Sequence, residues 1–401
     1  MQKNPLASPP MPRSVWVLGF VSMLMDISSE MIHSLLPMFM VATLGASALT
    51  IGLMEGVADA TTLIVKVFSG TLSDFLRNRK GLALMGYGVA AVSKPLFAIG
   101  GSIGEIFSAR LLDRVGKGIR DAPRDALIAD ITPHGIRGAA FGLRQSLDTV
   151  GAIVGPLTAV GLMLLWNNDF RSVFWVASLP AVMCVALLYF GVQAPTVQST
   201  GKPFNPITRE NFKLLSHQFW WIVVLGACFA LARFSEAFLV LRAQQCDVPM
   251  AYVPLIMMAM SIVYALTAYP FGKLSDDVSH VKLLAGGIAV LASADLVLAS
   301  SKDWRVLLCG VVLWGIHMGM TQGVFASMVA KVAPIELRGT AFGIFNLASG
   351  FGLLLSSGLA GLMWDQWGAI ATFYLGAAFC GLSFCVLVWV AWGNSLRILS
   401  K

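Results

Sequence analysis

The sequence predicts an all-α membrane protein of twelve transmembrane helices, arranged as two pseudo-symmetric six-helix bundles. Three observations carry that prediction: a composition too apolar for a water-soluble fold, twelve hydrophobic stretches of spanning length, and an internal repeat.

Charged residues make up 12% of the 401 residues and hydrophobic residues 57%, with a mean hydropathy of +0.77. A soluble chain carries about a quarter charged residues and needs them to cover its surface. Lipid removes that need. Glycine, at 39 residues, suits helices that pack closely in a bilayer. The six cysteines show no C-x-x-C spacing and read as small packing residues. The first apolar run carries Asp26 and Glu30 and continues to Leu44 with no small-residue cleavage site, so it reads as an uncleaved first helix.

A span needs roughly 20 mostly apolar residues. On that basis the chain divides into spans near 14–41, 50–73, 82–101, 104–130, 138–165 and 172–192, then near 218–241, 250–272, 282–300, 305–330, 339–363 and 368–393. The expected organisation is an amino-terminal bundle over 1–192, a polar linker over 193–217 and a carboxy-terminal bundle over 218–401, with a short amphipathic helix at Ile207–Leu215. With both termini inside, fifteen Lys and Arg residues fall on the cytoplasmic side: Lys3, Arg13, Arg77, Arg79, Lys80, Arg137, Lys202, Arg209, Lys213, Lys273, Lys282, Lys331, Arg338, Arg397 and Lys401. Four face the other side: Arg171, Arg242, Lys302 and Arg305. The positive-inside rule therefore places both termini in the cytoplasm. It also explains the net charge of +7 without nucleic acid.

The halves repeat. Pro133-His-Gly-Ile-Arg137-Gly-Ala-Ala-Phe-Gly142 after span 4 matches Pro334-Ile-Glu-Leu-Arg338-Gly-Thr-Ala-Phe-Gly343 after span 10, an offset of 201 residues. Gly70-Thr-Leu-Ser-Asp74 after span 2 matches Gly272-Lys-Leu-Ser-Asp276 after span 8 at nearly the same offset. Two matched pairs at one spacing imply two bundles related by an axis along the membrane normal.

Over essentially its whole length the chain resembles the major facilitator superfamily. Gly70–Lys80, GTLSDFLRNRK, is similar to the superfamily's cytoplasmic signature between helices 2 and 3, with Arg77 where a second glycine is usual. Arg110–Gly118, RLLDRVGKG, resembles the helix-4 signature, and departs from it at Asp113, Arg114 and Lys117. Gly151-Ala-Ile-Val-Gly155-Pro156 with Gly161 resembles the helix-5 pattern of exchangers, drug:proton antiporters in particular. The resemblance implies a secondary transporter in a bacterial cytoplasmic (inner) membrane, working as a monomer by alternating access. It also implies an inner gate built from Gly70, Asp74, Arg77 and Asp130, with Gly272 and Asp276 in the second half.

Each ionisable residue inside a span costs about 2.5–3.5 kcal/mol on insertion scales and requires an explanation. Most lie in the first half. Asp26, Glu30 and His33 share one face of span 1, and Glu55 and Asp59 one face of span 2. Arg110, Arg114, Lys117, Asp121 and Arg124 form a stripe along span 4 that must line a cavity or pair with acids of spans 1, 2 and 5. Two carboxylates one turn apart repel when both are ionised, which suits a proton carrier. Proton coupling is therefore expected at Asp26 and Glu30, with Glu55 and Asp59 as the next candidates. Substrate contacts or translocation are expected at Arg110, Arg114, Lys117, Arg144, Asp148, Arg233 and Glu236. The competing reading is that these charges pair with one another: nine in-span bases face ten in-span acids.

Met257, Met258 and Met260 in span 8, with His317, Met318 and Met320 in span 10, admit a soft-metal path, but methionine usually serves packing; no metal or cofactor is expected. There is no G-x-S-x-G, H-E-x-x-H or P-loop, so neither an enzyme nor an ATP-driven pump is expected. The expected function is proton-coupled efflux of a small organic compound. The alternative is uptake of an anionic or zwitterionic metabolite or a metal chelate, favoured by the basic span 4.

Overall fold

The computed structural model describes residues 11–76, 78–133, 136–193, 215–334 and 337–392. The expected linker falls outside these residues apart from its ends, and so does Arg77.

The described residues form the expected spans. Span 1 comprises two helices, Arg13–His33 and Leu36–Leu44, and span 7 likewise comprises His217–Ala232 and Ala237–Gln245. The others are span 2 (Ala48–Leu76), span 3 (Arg79–Ile99), span 4 (Ile103–Ile131), span 5 (Arg137–Leu165), span 6 (Phe170–Gly191), span 8 (Pro254–Asp277), span 9 (His280–Ser300), span 10 (Trp304–Val332), span 11 (Arg338–Trp367) and span 12 (Ala369–Trp392). Eleven are apolar and long enough to cross a bilayer. Span 4 is long enough too, and its charges alone set it apart.

Local chemistry sets the boundaries. Ser102 accepts from the Glu105 N–H at the start of span 4, while the Glu105 carboxylate accepts from the Gly101 N–H. This reciprocal arrangement satisfies donors that the first helical turn leaves free. Asp303 caps span 10 in the same place, accepting from the N–H groups of Arg305 and Val306. At the other ends, Arg171 donates to the carbonyls of Ala98, Ile99 and Gly100 after span 3. Arg242 donates to those of Leu298, Ala299 and Ser301 after span 9. Two arginines from unrelated places in the chain thus neutralise the carbonyl ends of equivalent helices.

The helix packing obeys the repeat. Span 1 packs on spans 5 and 6, span 3 on spans 4 and 6, and span 2 on span 4. In the second half span 7 packs on spans 11 and 12, span 9 on spans 10 and 12, and span 8 on span 10. The halves meet through two symmetry-equivalent contacts, span 2 with span 11 and span 5 with span 8.

The span 2–span 11 contact runs along both helices, from Ala48 against Gly361 to Val67 against Gly343. Call the face where span 1 begins and span 12 ends the terminal face, and its opposite the far face. At the far face Asp365, near the end of span 11, accepts from the N–H groups of Ala48 and Leu49 at the start of span 2 (3.0 and 2.9 Å). There one apolar core runs through both bundles, joining Phe39, Met40 and Ile51 to Phe238 and Leu239. Towards the terminal face the first bundle has a core of its own, around Val15, Leu18, Ala83, Leu127 and Leu188.

Candidate functional site

The two broken spans occupy corresponding places in the halves. In span 1 the helix stops after His33 and restarts with Pro37 in its first turn. In span 7 it stops at Arg233 and restarts at Ala237, with the Ser235 N–H donating to Ser357 Oγ of span 11. Irregular backbone at membrane depth is tolerated where it lines a cavity or is buried in protein, and paired interruptions of this kind mark binding sites.

Both breaks border one central cavity of about 510 Å³. Its amino-terminal wall carries Asp26, Glu30 and His33 from span 1, Asp59, Thr62 and Lys66 from span 2, and Arg114, Lys117 and Asp121 from span 4. Span 5 adds Gln145, Asp148 and Thr149. The opposite wall is made of Phe234 from span 7, Met257, Met260 and Tyr264 from span 8, Met318 from span 10 and Leu353 from span 11, with Arg233, Ser235, Glu236, Ser261 and Gln322 among them. The first wall is densely charged, whereas the second mixes methionine and aromatic side chains with a few polar groups and the Arg233–Glu236 pair.

Most charges are paired. Arg110, 2% exposed, donates to Glu55 at 2.5 Å, and His33 lies 3.8 Å from the same carboxylate and 3.9 Å from that of Glu30. Lys94 bonds to Asp113 at 2.7 Å and to Ser29 at 2.9 Å. Arg114 lies 3.9 Å from Asp59. Arg124 reaches Asp121 (3.7 Å), Asp125 (3.0 Å) and Ser22 (3.0 Å). Arg144 holds Asp148 at 2.6 Å, and Arg233 lies 3.9 Å from Glu236. Among the described cavity-lining residues, three ionisable groups have no ion pair: Asp26, Lys66 and Lys117.

The expected site residues thus divide. Asp26, Glu30, Asp59, Arg114, Lys117, Asp148, Arg233 and Glu236 come together around the cavity. Glu55, Arg110 and Arg144 lie outside its lining, where Glu55 and Arg110 form a pair behind the wall and Arg144 anchors Asp148. The span-4 stripe is shared between the two settings, because helix packing against spans 2 and 3 turns Arg110, Asp113 and Arg120 inwards. Among the gate candidates, Asp130 pairs with Arg79. Gly70 lies against Ala122 of span 4, and a Cβ on Gly272 would meet open space. The side chains of Asp74 and Asp276 fall outside the described residues. Lys66, one of the nine in-span bases, lines the cavity as well, and its signal is in the sequence: it follows Asp59 by seven residues, two turns along one helix face. Of the methionines, Met257, Met260 and Met318 line the cavity, whereas His317 is buried behind them against Phe229 and Trp314.

Comparison with known proteins agrees with this architecture. The family model for the Major Facilitator Superfamily matches residues 18–244 and 237–396. The chain belongs to the major facilitator superfamily. An MFS-type transporter of Methanocaldococcus jannaschii, MJ1317, is 33% identical over 373 residues, covering 91% of this chain and 92% of that protein. The quinolone resistance protein NorA of Staphylococcus aureus is 22% identical, covering 88% and 91%. A crystal structure of the peptide transporter POT shares the fold with a TM-score of 0.80 at 15% identity, covering 100% of this chain and 97% of that one. As a superfamily member the chain is a multi-pass membrane protein and a secondary transporter of a small solute.

Proposed function

We propose that this transporter exports a small organic compound in exchange for protons, as a monomer in the bacterial cytoplasmic membrane with both termini cytoplasmic. The observation that carries the reading is Asp26: a carboxylate on the wall of a cavity of about 510 Å³, with no ion pair among the described residues, across from the side chains of Met257, Met260 and Met318. A carboxylate that is not locked to a base can exchange its proton as the solute enters and leaves. Glu30, one turn away and beside His33, is the second member of the coupling site. Resemblance to a quinolone resistance protein supports efflux. With the termini inside, the shared core and the Asp365 bonds at the far face support reading this state as the inward-facing half of an alternating-access cycle. Asp74, Arg77, Asp130 and Asp276 belong to the gate that closes the terminal face in the other half.

The test uses everted membrane vesicles energised to an acid interior and a zwitterionic quinolone as probe solute. Adding it should dissipate the pH gradient in wild type and not in Asp26→Asn, which still binds it. Proton movement that survives in both Asp26→Asn and Glu30→Gln would remove the carboxylate pair from coupling and redirect attention to Asp59 or Glu236. A second reading, uptake of an anionic or zwitterionic metabolite or a metal chelate, is favoured by the unpaired Lys66 and Lys117. Direction decides between the two: a deletion strain accumulates the solute under efflux and fails to take it up under the alternative.

A further inference from the structure

The two cavity ammonium groups without an ion pair among the described residues, Lys66 and Lys117, are not scattered. Gly118 of span 4 sits so close to span 2 that a Cβ there would lie 2.7 Å from the Val65 side chain. Ser69 Oγ donates to the Gly118 carbonyl at 2.8 Å, and Thr62 Oγ1 to that of Arg114 at 3.3 Å. Spans 2 and 4 are therefore locked in register, and Lys66 and Lys117, neighbours of Val65 and Gly118, stand at one level of the cavity wall. The bases deeper in the amino-terminal spans, Lys94, Arg110, Arg114, Arg120, Arg124 and Arg144, each lie 3.9 Å or less from a carboxylate. Asp121, one turn from Lys117, lies 3.7 Å from Arg124 and 3.9 Å from Arg120, and acts on Lys117 and Lys66 only at longer range.

Two ammoniums on one wall repel, and holding them at membrane depth with no carboxylate in ion-pair contact costs free energy, which Asp26, Glu30 and Asp121 at longer range only partly offset. That cost is recovered when an anion binds between them through charge-assisted hydrogen bonds. Across the cavity Met257, Met260 and Met318 supply an adaptable, polarisable apolar surface, which accepts varied shapes. We propose that Lys66 and Lys117 form the head-group subsite of the transported solute, and that the solute class is an amphiphilic organic anion or zwitterion whose apolar body rests on the methionine wall. Asp26 stays free for proton exchange, so a solute with one acidic group leaves the coupling carboxylate unengaged. This rests on the central cavity being the solute site; it requires neither efflux nor proton coupling.

Equilibrium binding to the purified full-length protein in lipid nanodiscs, with no gradient, tests this separately from coupling. The probes are octyl phosphate and octanesulfonate, with octanol and octyltrimethylammonium as neutral and cationic controls of the same chain length, all below micelle formation. Wild type should bind both anions at least about tenfold more tightly than octanol, the effect of one charged hydrogen bond. Lys66→Gln and Lys117→Gln should each lower anion affinity about tenfold and leave octanol unchanged. Lys66→Arg and Lys117→Arg, which keep the charge, should retain anion preference and cover the case of a Gln variant that does not fold. Equal affinity for anion and octanol, a preference for the cation, or no binding of either anion overturns the proposal, whatever the vesicle assay shows about protons.

Discussion

Span 4 and span 10 are the same helix built twice, 29 residues each at an offset of 201, capped by Ser102 and Asp303 and packed on equivalent neighbours. Their chemistry is opposite. Arg110, Asp113, Arg114, Lys117 and Arg124 in span 4 stand where span 10 has Val311, Trp314, Gly315, Met318 and Phe325. At one such position, Lys117 and Met318 both line the cavity, from opposite walls. The backbone symmetry is therefore a scaffold for two packing solutions. The first half fills its interior with ion pairs; the second uses an aromatic cluster in which Phe234 packs against Phe238, Trp314 and Phe373. Close glycine contacts and helix caps fix the frame in both halves, so the side chains on it are free to diverge.

The largest test exchanges the two solutions. Arg110→Val alone leaves Glu55 buried as an uncompensated carboxylate and should destabilise the protein by about 3–5 kcal/mol. Glu55→Met with Arg110→Val installs the residues found at the corresponding places in the second half, Met257 and Val311. Thermal unfolding in detergent should show most of the loss recovered in that double variant, since an apolar pair of suitable volume often replaces a buried ion pair without cost. A double variant as unstable as the single one would show that the first half cannot accept the second half's packing.

A related contrast sets Asp113 against Asp295. Lys94 holds Asp113, whereas Asp295, which occupies in span 9 the place of Lys94 in span 3, is fully buried with neither carboxyl oxygen hydrogen-bonded. Asp113→Asn should cost about 3 kcal/mol by stranding the Lys94 ammonium. Asp295→Asn should leave the melting temperature unchanged or raise it, because no bond is lost and a carboxyl's desolvation is relieved. Equal losses in both variants would erase the contrast.

The contact between the halves offers a third test. A Cβ on Gly361 of span 11 would lie 2.5 Å from the Ala48 carbonyl oxygen, at the far face where the bundles are joined. Gly361→Val should wedge that face open and shift the population away from the described state, by about 1–3 kcal/mol of overpacking. Spin labels at exposed far-face positions should report longer distances in the variant; unchanged distances would mean that the contact yields locally.

The smallest effect concerns the loop before span 6. Asp169 accepts from the Arg171 N–H at 3.1 Å and from the Ser172 hydroxyl at 2.5 Å, and the Ser172 bond holds its carboxyl below the usual range. A carboxylate with a depressed pKa contributes stability above its ordinary value of about 4 and loses it as pH falls through the folded value. Asp169→Ala should cost about 1 kcal/mol at neutral pH, with the difference from wild type closing as pH falls below the ordinary carboxylate range. Span 12 starts instead after Gly368, at φ 82°, so no matching carboxylate is at risk in the second half.

Much of this architecture is carried by the sequence itself. Spanning segments are legible because lipid demands long apolar runs with internally satisfied backbone, and a repeat is legible because it is written in residues: Pro133 to Gly142 against Pro334 to Gly343. That the charges crowd into the first half is visible for the same reason. Which of them meet is not. Arg110 and Arg114 are one turn apart on one helix, yet the first is sealed behind the wall with Glu55 and the second faces the cavity beside Asp59. A helix repeats every 3.6 residues, so spacing assigns residues to a stripe. Whether a point on that stripe meets a neighbouring helix or an open cavity depends on where spans 2, 3 and 5 cross it. Lys66 and Lys117 share one cavity wall because Gly118 lets span 4 approach Val65 of span 2; no spacing within either helix contains that approach. Local periodicity is a property of one segment, whereas pairing and exposure are properties of several segments at once, and only their packing decides them.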